Sequence, residues 1–220
     1  MAIQYNSCPG GAEQTLSTIR AAGSEGAAYQ ADLSTVEGMN RLIAEIQAME
    51  PGIDILINNA GSLVKRATLL EHNEALFDAI MNLNVKSLWF LTQAVAPSMI
   101  AKKSGVIVNV SSIAARNGGG PGATIYAAAK AAVSAITKGL AKELAPKGIR
   151  VNAISPGTVD NHFHEVFSNR EILDVVVKQT PAGRLGSNEE MADCILYLCG
   201  EGAEYIHGQT IEINWGMYMV

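Results

Sequence analysis

The chain has 220 residues, 21 acidic and 16 basic side chains, and a net charge of −5; 48% of residues are hydrophobic and 17% charged. Its scattered cations give no basic field for nucleic acid or an anionic membrane surface. No apolar run reaches the roughly 18 residues that cross a bilayer, and no signal-peptide pattern opens the chain. A cytoplasmic protein acting on a small molecule is expected, carried by one domain over residues 1–220.

Taken in chain order, short apolar runs alternate with helical patterns, the mark of βα repeats and a parallel sheet. Strands are expected at 2–5, 27–30, 53–57, 105–110, 150–154 and 210–213, and helices at 11–22, 35–49, within 73–101, at 123–145 and at 188–199. The fold class is α/β, a Rossmann-like doubly wound sheet. On the 123–145 helix, Ile125, Ala128, Ala129, Ala132, Val133 and Ile136 are expected to share one small, apolar side suited to close packing, including against a second subunit. Residues 158–186 are poorly periodic, contain His162, Phe163, His164 and Phe167, and are expected to form a partly helical flap over a site. Cys8, Cys194 and Cys199 lack Cys-x-x-Cys spacing, which suggests neither a disulfide framework nor a zinc site.

Chemistry concentrates at strand ends, where open α/β sheets bind ligands. Asn58-Asn59-Ala60-Gly61 follows the third strand, as a cofactor contact or as a plain polar turn. Val110-Ser111-Ser112 ends the fourth, where a serine hydroxyl serves either an oxyanion or a helix cap. Tyr126-Ala-Ala-Ala-Lys130 sets a phenol and an ammonium one helical turn apart, and a cation within about 4–6 Å of a phenol favours the phenolate. Asp32, in Ala31-Asp32-Leu33-Ser34, reads as a ligand contact or as a cap for the helix at Thr35. Gly118-x-Gly120-x-x-Ala123 fits a loose dinucleotide pattern, but residues 113–117 separate it from its strand, so a flexible rim is expected instead. The sequon at Asn109 carries no meaning without secretion.

Together, Asn58-Asn59-Ala60-Gly61, Asn84, Ser112, Tyr126-x-x-x-Lys130 and Pro156-Gly157 resemble, in order and spacing, the short-chain dehydrogenase/reductase family along essentially the whole chain. The resemblance implies an oxidoreductase that interconverts a carbonyl and a secondary alcohol with a nicotinamide cofactor. In that reading Ser112 holds the substrate carbonyl and Tyr126 exchanges the proton. Lys130 lowers the Tyr126 pKa and binds ribose hydroxyls, and Asn84 supports a water relay. Asp32 and Leu33 lie against adenine; Asn58, Ala60 and Gly61 line the cofactor; Pro156, Gly157 and Val159 run along the nicotinamide, with Asn161 standing where threonine is usual. A homo-oligomer, dimer or tetramer, is implied through the 73–101 and 123–145 helices and the 215–220 tail.

One element of the family pattern has no counterpart: the glycine-rich turn between the first strand and first helix. Residues 1–7 match the family's second strand in character, so about thirty residues, one βα unit, and a central strand are expected to be missing. Either the sequence is a shortened form of a normal enzyme, or it is a cofactor-deficient remnant that serves as an assembly subunit. Tyr5-Asn6-Ser7 supplies no acidic residue to hold a ribose 2′-hydroxyl, which favours NADP(H) over NAD(H). No metal is expected at His162 and His164, which read as substrate-facing or solvated.

Overall fold

The computed structural model describes residues 1–49 and 52–220. Its elements are β1 (Ala2–Tyr5), α1 (Pro9–Ala21), β2 (Ala27–Gln30), α2 (Val36–Gln47), β3 (Ile55–Asn58) and α3 (Glu74–Met81). A π-helical turn, Asn82–Lys86, joins α3 to α4 (Ser87–Lys102), which leads to β4 (Gly105–Val110), α5 (Ala114–Asn117), α6 (Thr124–Leu144) and β5 (Ile149–Pro156). The flap holds α7 (His162–Phe167) and α8 (Arg170–Gln179), followed by α9 (Asn188–Cys199) and β6 (Thr210–Ile213). Four expected strands keep their bounds. β3 starts two residues later than expected, and β5 extends one residue earlier and two later.

All strand pairs are parallel. β3, β4, β5 and β6 form one sheet in that order, while β1 and β2 form a separate pair. The sheet is therefore interrupted between β1 and β3, where the sequence leads one to expect a missing strand. Among the described residues each of these two strands has one unpaired edge.

Strand alternation sends apolar side chains to two helical layers. Ile107 and Val151 pack with Val95, Met99, Leu140 and Leu144 of α4 and α6, joined by Leu56. Their neighbours Val108 and Ile154 face the other way, onto Leu198 and the rest of α9. The β1–β2 pair is tied to the main sheet through α2: Met39 and Leu42 pack with Ala31, Leu33 and Leu91. Asn82 Nδ2 adds a hydrogen bond to the Ser34 carbonyl at 3.2 Å. Thr35 caps α2 by accepting from the Gly38 amide at 3.1 Å.

One expectation is corrected. The small residues of α6 do not share one side, because adjacent positions lie about 100° apart on a helix. Ala129 and Val133 face the core, whereas Ala128, Ala131, Ala135 and Gly139 form the exposed side. The residues between Ser112 and the expected glycine rim form α5, which ends at Gly118 with φ of 83°.

Candidate active site

Tyr126 stands in the first turn of α6, beside the end of β4. Ser111 and Ser112, just past the end of β4, part company there. Ser111 is buried and its hydroxyl donates to the Lys130 carbonyl at 2.8 Å, pinning β4 to α6. Ser112 turns outward, accepts from the Ala114 amide at 3.1 Å and lies beside the Tyr126 hydroxyl, which its hydrogen bond pulls toward ionisation. Part of Tyr126 remains at the surface, while its hydroxyl end is enclosed. Phe163 of α7 packs over its ring at a centroid separation of 5.8 Å.

Burial dominates the electrostatics. It pushes the Tyr126 phenol up to about 12, with Ser112 the opposing influence. Burial also draws the Lys130 ammonium down to about 8; this residue is only 3% exposed. The expected lowering of the Tyr126 pKa by Lys130 is thus corrected. Lys130 Nζ sits 5.7 Å from the Tyr126 ring centroid, donates to the Val110 carbonyl at 2.8 Å and is itself short of solvation.

Asn84 occupies the π-helical turn, a departure from α-geometry that often accompanies functional sites. Its Nδ2 donates to the carbonyls of Ser62 and Ile80, each at 2.8 Å, whereas its buried Oδ1 has no partner. A Cβ placed on Gly61 would lie 2.7 Å from Lys130 Nζ and 2.8 Å from Asn84 Oδ1. Glycine there keeps open a small space flanked by a buried donor and an orphaned acceptor, and a bridging water or hydroxyl would satisfy both.

The remaining predicted residues divide. Val159 bridges to Gly186, but the bonds use the flanking groups: the Gly186 amide donates to the Thr158 carbonyl, and the Asp160 amide to the Gly186 carbonyl. The amide and carbonyl of Val159 itself have no hydrogen-bond partner among the described residues. Gly157 sits tight against Asn214, where a Cβ would approach the Asn214 Cβ at 2.8 Å. Pro156 ends β5 at the same rim. Asn161 caps α7, accepting from the Phe163 amide at 3.2 Å.

Asn58 turns inward rather than toward a ligand. Its Nδ2 donates to Thr92 at 3.2 Å and to Asn109 Oδ1 at 2.9 Å, and Asn109 in turn donates to Thr137 at 2.9 Å, a buried ladder across β3, β4 and the helices. Ala60 packs against the α2–α4 cluster. Asp32 holds its own turn, accepting from the Ser34 amide and hydroxyl at 2.9 and 2.7 Å; Leu33 is buried. His162 is exposed and pairs with Glu165, and His164 Nδ1 lies 3.0 Å from the Ser168 hydroxyl.

Sequence reasoning did not single out Arg66. Its Nε donates to the Phe167 carbonyl of the flap at 2.7 Å and its Nη1 to the Pro121 carbonyl of the rim at 2.8 Å. The available signal was a cation in the loop leaving the carboxyl end of β3.

The comparisons agree with this geometry. The family model described as Enoyl-(Acyl carrier protein) reductase matches residues 2–218. The chain is 35% identical over 219 residues to the 3-oxoacyl-[acyl-carrier-protein] reductase FabG of Staphylococcus epidermidis, covering 100% of this chain and 88% of that protein. The crystal structure of the NADH-dependent reductase A1-R′ responsible for alginate metabolism superposes with a TM-score of 0.88 at 32% identity, covering 100% of this chain and 87% of that one. A putative NAD(P)-dependent gluconate 5-dehydrogenase from Beutenbergia cavernae, solved with bound NADP, also gives 0.88, at 26% identity over 98% of this chain and 96% of the other. On motif, fold and likeness alike, the chain belongs to the short-chain dehydrogenase/reductase family and is a nicotinamide-dependent oxidoreductase.

Proposed function

We propose that Tyr126 is the general acid–base of a carbonyl–alcohol interconversion on a small molecule, with Ser112, Lys130 and Asn84 in supporting roles. The observation that carries this reading is the orphaned Asn84 Oδ1 facing the same Gly61-sized space as Lys130 Nζ, one helical turn from Tyr126.

In the reducing direction Ser112 donates a hydrogen bond to the substrate carbonyl and orients it. Tyr126 gives its phenolic proton to the oxygen that becomes the alcohol. The space between Lys130 Nζ and Asn84 Oδ1 offers the route by which the phenolate left behind is reprotonated. A nicotinamide, when bound, would supply the hydride that the carbonyl carbon receives. Lys130 and Tyr126 would hold its ribose, Val159 its carboxamide and Gly61 its close approach, while Asp32 and Leu33 lie toward the adenine end. The residues present fit the nicotinamide half of the cofactor. The turn between β1 and α1 does not reproduce the family's glycine-rich diphosphate cradle.

NADP(H) is the proposed cofactor. β1 runs out at Tyr5-Asn6-Ser7 with no carboxylate, and Gln30 links Asn6 to Arg41: Gln30 Nε2 donates to the Asn6 carbonyl at 3.1 Å, and Gln30 Oε1 accepts from Arg41 Nη2 at 2.8 Å. That cation favours a 2′-phosphate. The similar structures divide, one described as NADH-dependent and one holding NADP.

The same reading makes the protein a single cytoplasmic domain that assembles as a homo-oligomer. Trp89, 42% exposed, lines an apolar hollow with Met81, Val85, Phe90 and, from α6, Ile136. Calorimetric titration of the folded chain with NADPH and NADH tests the cofactor assignment. Tighter binding of NADPH is expected; a preference for NADH overturns the choice of cofactor, and no binding of either overturns catalytic competence.

A further inference from the structure

The structure assigns Arg66 as the specificity-determining residue of this site: its guanidinium takes a carboxylate carried by a short hydroxy or oxo acid whose reacting carbon lies at Tyr126. This assignment rests on Tyr126 being the acid–base residue.

Arg66 bridges the two walls of the mouth. Its Nε bond to the Phe167 carbonyl reaches the end of α7, and its Nη1 bond to the Pro121 carbonyl reaches the rim that leads into α6. The backbone of the same loop is fixed by the Ala67 amide, which donates to the Gly122 carbonyl at 3.1 Å. Both side-chain partners are neutral carbonyls. A guanidinium has five N–H donors, so the whole Nη2 amino group and one Nη1 proton remain.

Among the described residues no carboxylate pairs with this cation. Arg20, Arg116, Arg170 and Arg184 each have an Asp or Glu partner. Arg41 and Arg150, also without one, spend donors on the Gln30 carbonyl and side chain and on four carbonyls at the end of α9, respectively. His164 stands nearby, and burial together with the Arg66 charge holds its imidazole toward the neutral form, against the opposite pull of Asp160. The mouth therefore holds a geometrically pinned cation that forms no ion pair with a carboxylate among the described residues.

Its position suits a short acid. Phe163 touches both the Tyr126 ring, at 5.8 Å, and the Phe167 ring, at 5.0 Å, so one aromatic side chain separates the phenol from the residue that anchors Arg66. A planar fork matches a carboxylate in a bidentate way, and the aromatic wall lowers the local dielectric, which strengthens the pairing.

The test measures binding of gluconate, sorbitol and sorbitol 6-phosphate to the full chain and to Arg66→Ala and Arg66→Lys. Gluconate and sorbitol share a polyol and differ in the terminal carboxylate. Wild type is expected to bind gluconate at least about tenfold tighter than sorbitol, the range for a hydrogen-bonded charge. Arg66→Ala should lose that preference while sorbitol binding stays unchanged, and Arg66→Lys should retain part of it. A merely structural clamp would instead weaken both ligands together. Equal or absent binding of gluconate, an undiminished preference in Arg66→Ala, or tighter binding of the phosphate overturns the assignment. Tyr126→Phe separates the two readings: if Tyr126 is not the acid–base residue, turnover survives that change whatever the ligand preference proves to be.

Discussion

The β4–β5 region and the β3 strand beside it have similar apolar sequences and opposite fates. Ile107, Val108, Val151 and Ile154 are wholly enclosed, with α4 and α6 on one face and α9 on the other. On β3, Leu56 joins the α4–α6 cluster, but Ile55 and Ile57, on the opposite face, are 47% and 43% exposed. The difference teaches that the wall carrying the proposed catalytic residues does not depend on the interrupted part of the sheet. Ser112, Tyr126 and Lys130 stand at the end of a fully packed strand and on the helix against it, whereas the residues proposed to meet the far end of the cofactor, Asp32 and Leu33, follow β2 of a β1–β2 pair joined to the rest through α2.

Four changes sharpen or break that comparison. The largest expected effect is on rate. Gly61→Ala forces a Cβ to within 2.7 Å of Lys130 Nζ and 2.8 Å of Asn84 Oδ1, so one of them must shift. A displacement of that order in a catalytic group costs about 10²-fold, read as a fall in kcat with little change in the unfolding midpoint.

Next come two changes in stability. Ile154→Ala, in the packed region, should cost about 2–5 kcal/mol in denaturant unfolding. Ile57→Thr should cost under about 1 kcal/mol, because the side chain is already half in solvent. Equal losses would mean that Ile57 is covered in solution.

The smallest effect is on the pH dependence of stability. Burial holds Lys130 at about 8, below the ordinary lysine value of about 10.4, so between these limits the unfolded chain binds the proton and the folded chain does not. Stability should therefore rise from pH 8 toward pH 10. Tyr126, raised to about 12, works the other way: its contribution is present below about pH 10 and is lost as pH rises through 12. Lys130→Met should abolish the rise between pH 8 and 10 in thermal or denaturant unfolding, and an unchanged slope would show that Lys130 is not desolvated.

Much of this was legible in the sequence because it is local. The Tyr126–Lys130 pair needs only helix periodicity, and β1, β2, β4 and β6 announce themselves by short apolar runs between turns. Even the separation of β1–β2 from the main sheet was legible, because no glycine-rich turn stands between β1 and α1. What stayed hidden depends on distant partners. Asn58 reads equally as a ligand contact and a structural amide until Thr92 and Asn109 are seen beside it, 34 and 51 residues away. Arg66 gains its role from carbonyls 101 and 55 residues further along. The direction of the Tyr126 shift failed for a related reason. Spacing places a cation nearby, but only packing shows that Phe163 covers the ring and that Lys130 is directed to Val110.

The central claim is that Tyr126 moves the proton. Its most direct test compares turnover of nicotinamide by the wild-type chain and by Tyr126→Phe in the presence of a carbonyl substrate, with circular dichroism to establish that both are folded. A fall of about 10²–10⁴-fold in kcat, with cofactor affinity and fold retained, is the predicted result; a folded Tyr126→Phe variant that turns over at the wild-type rate would contradict the account.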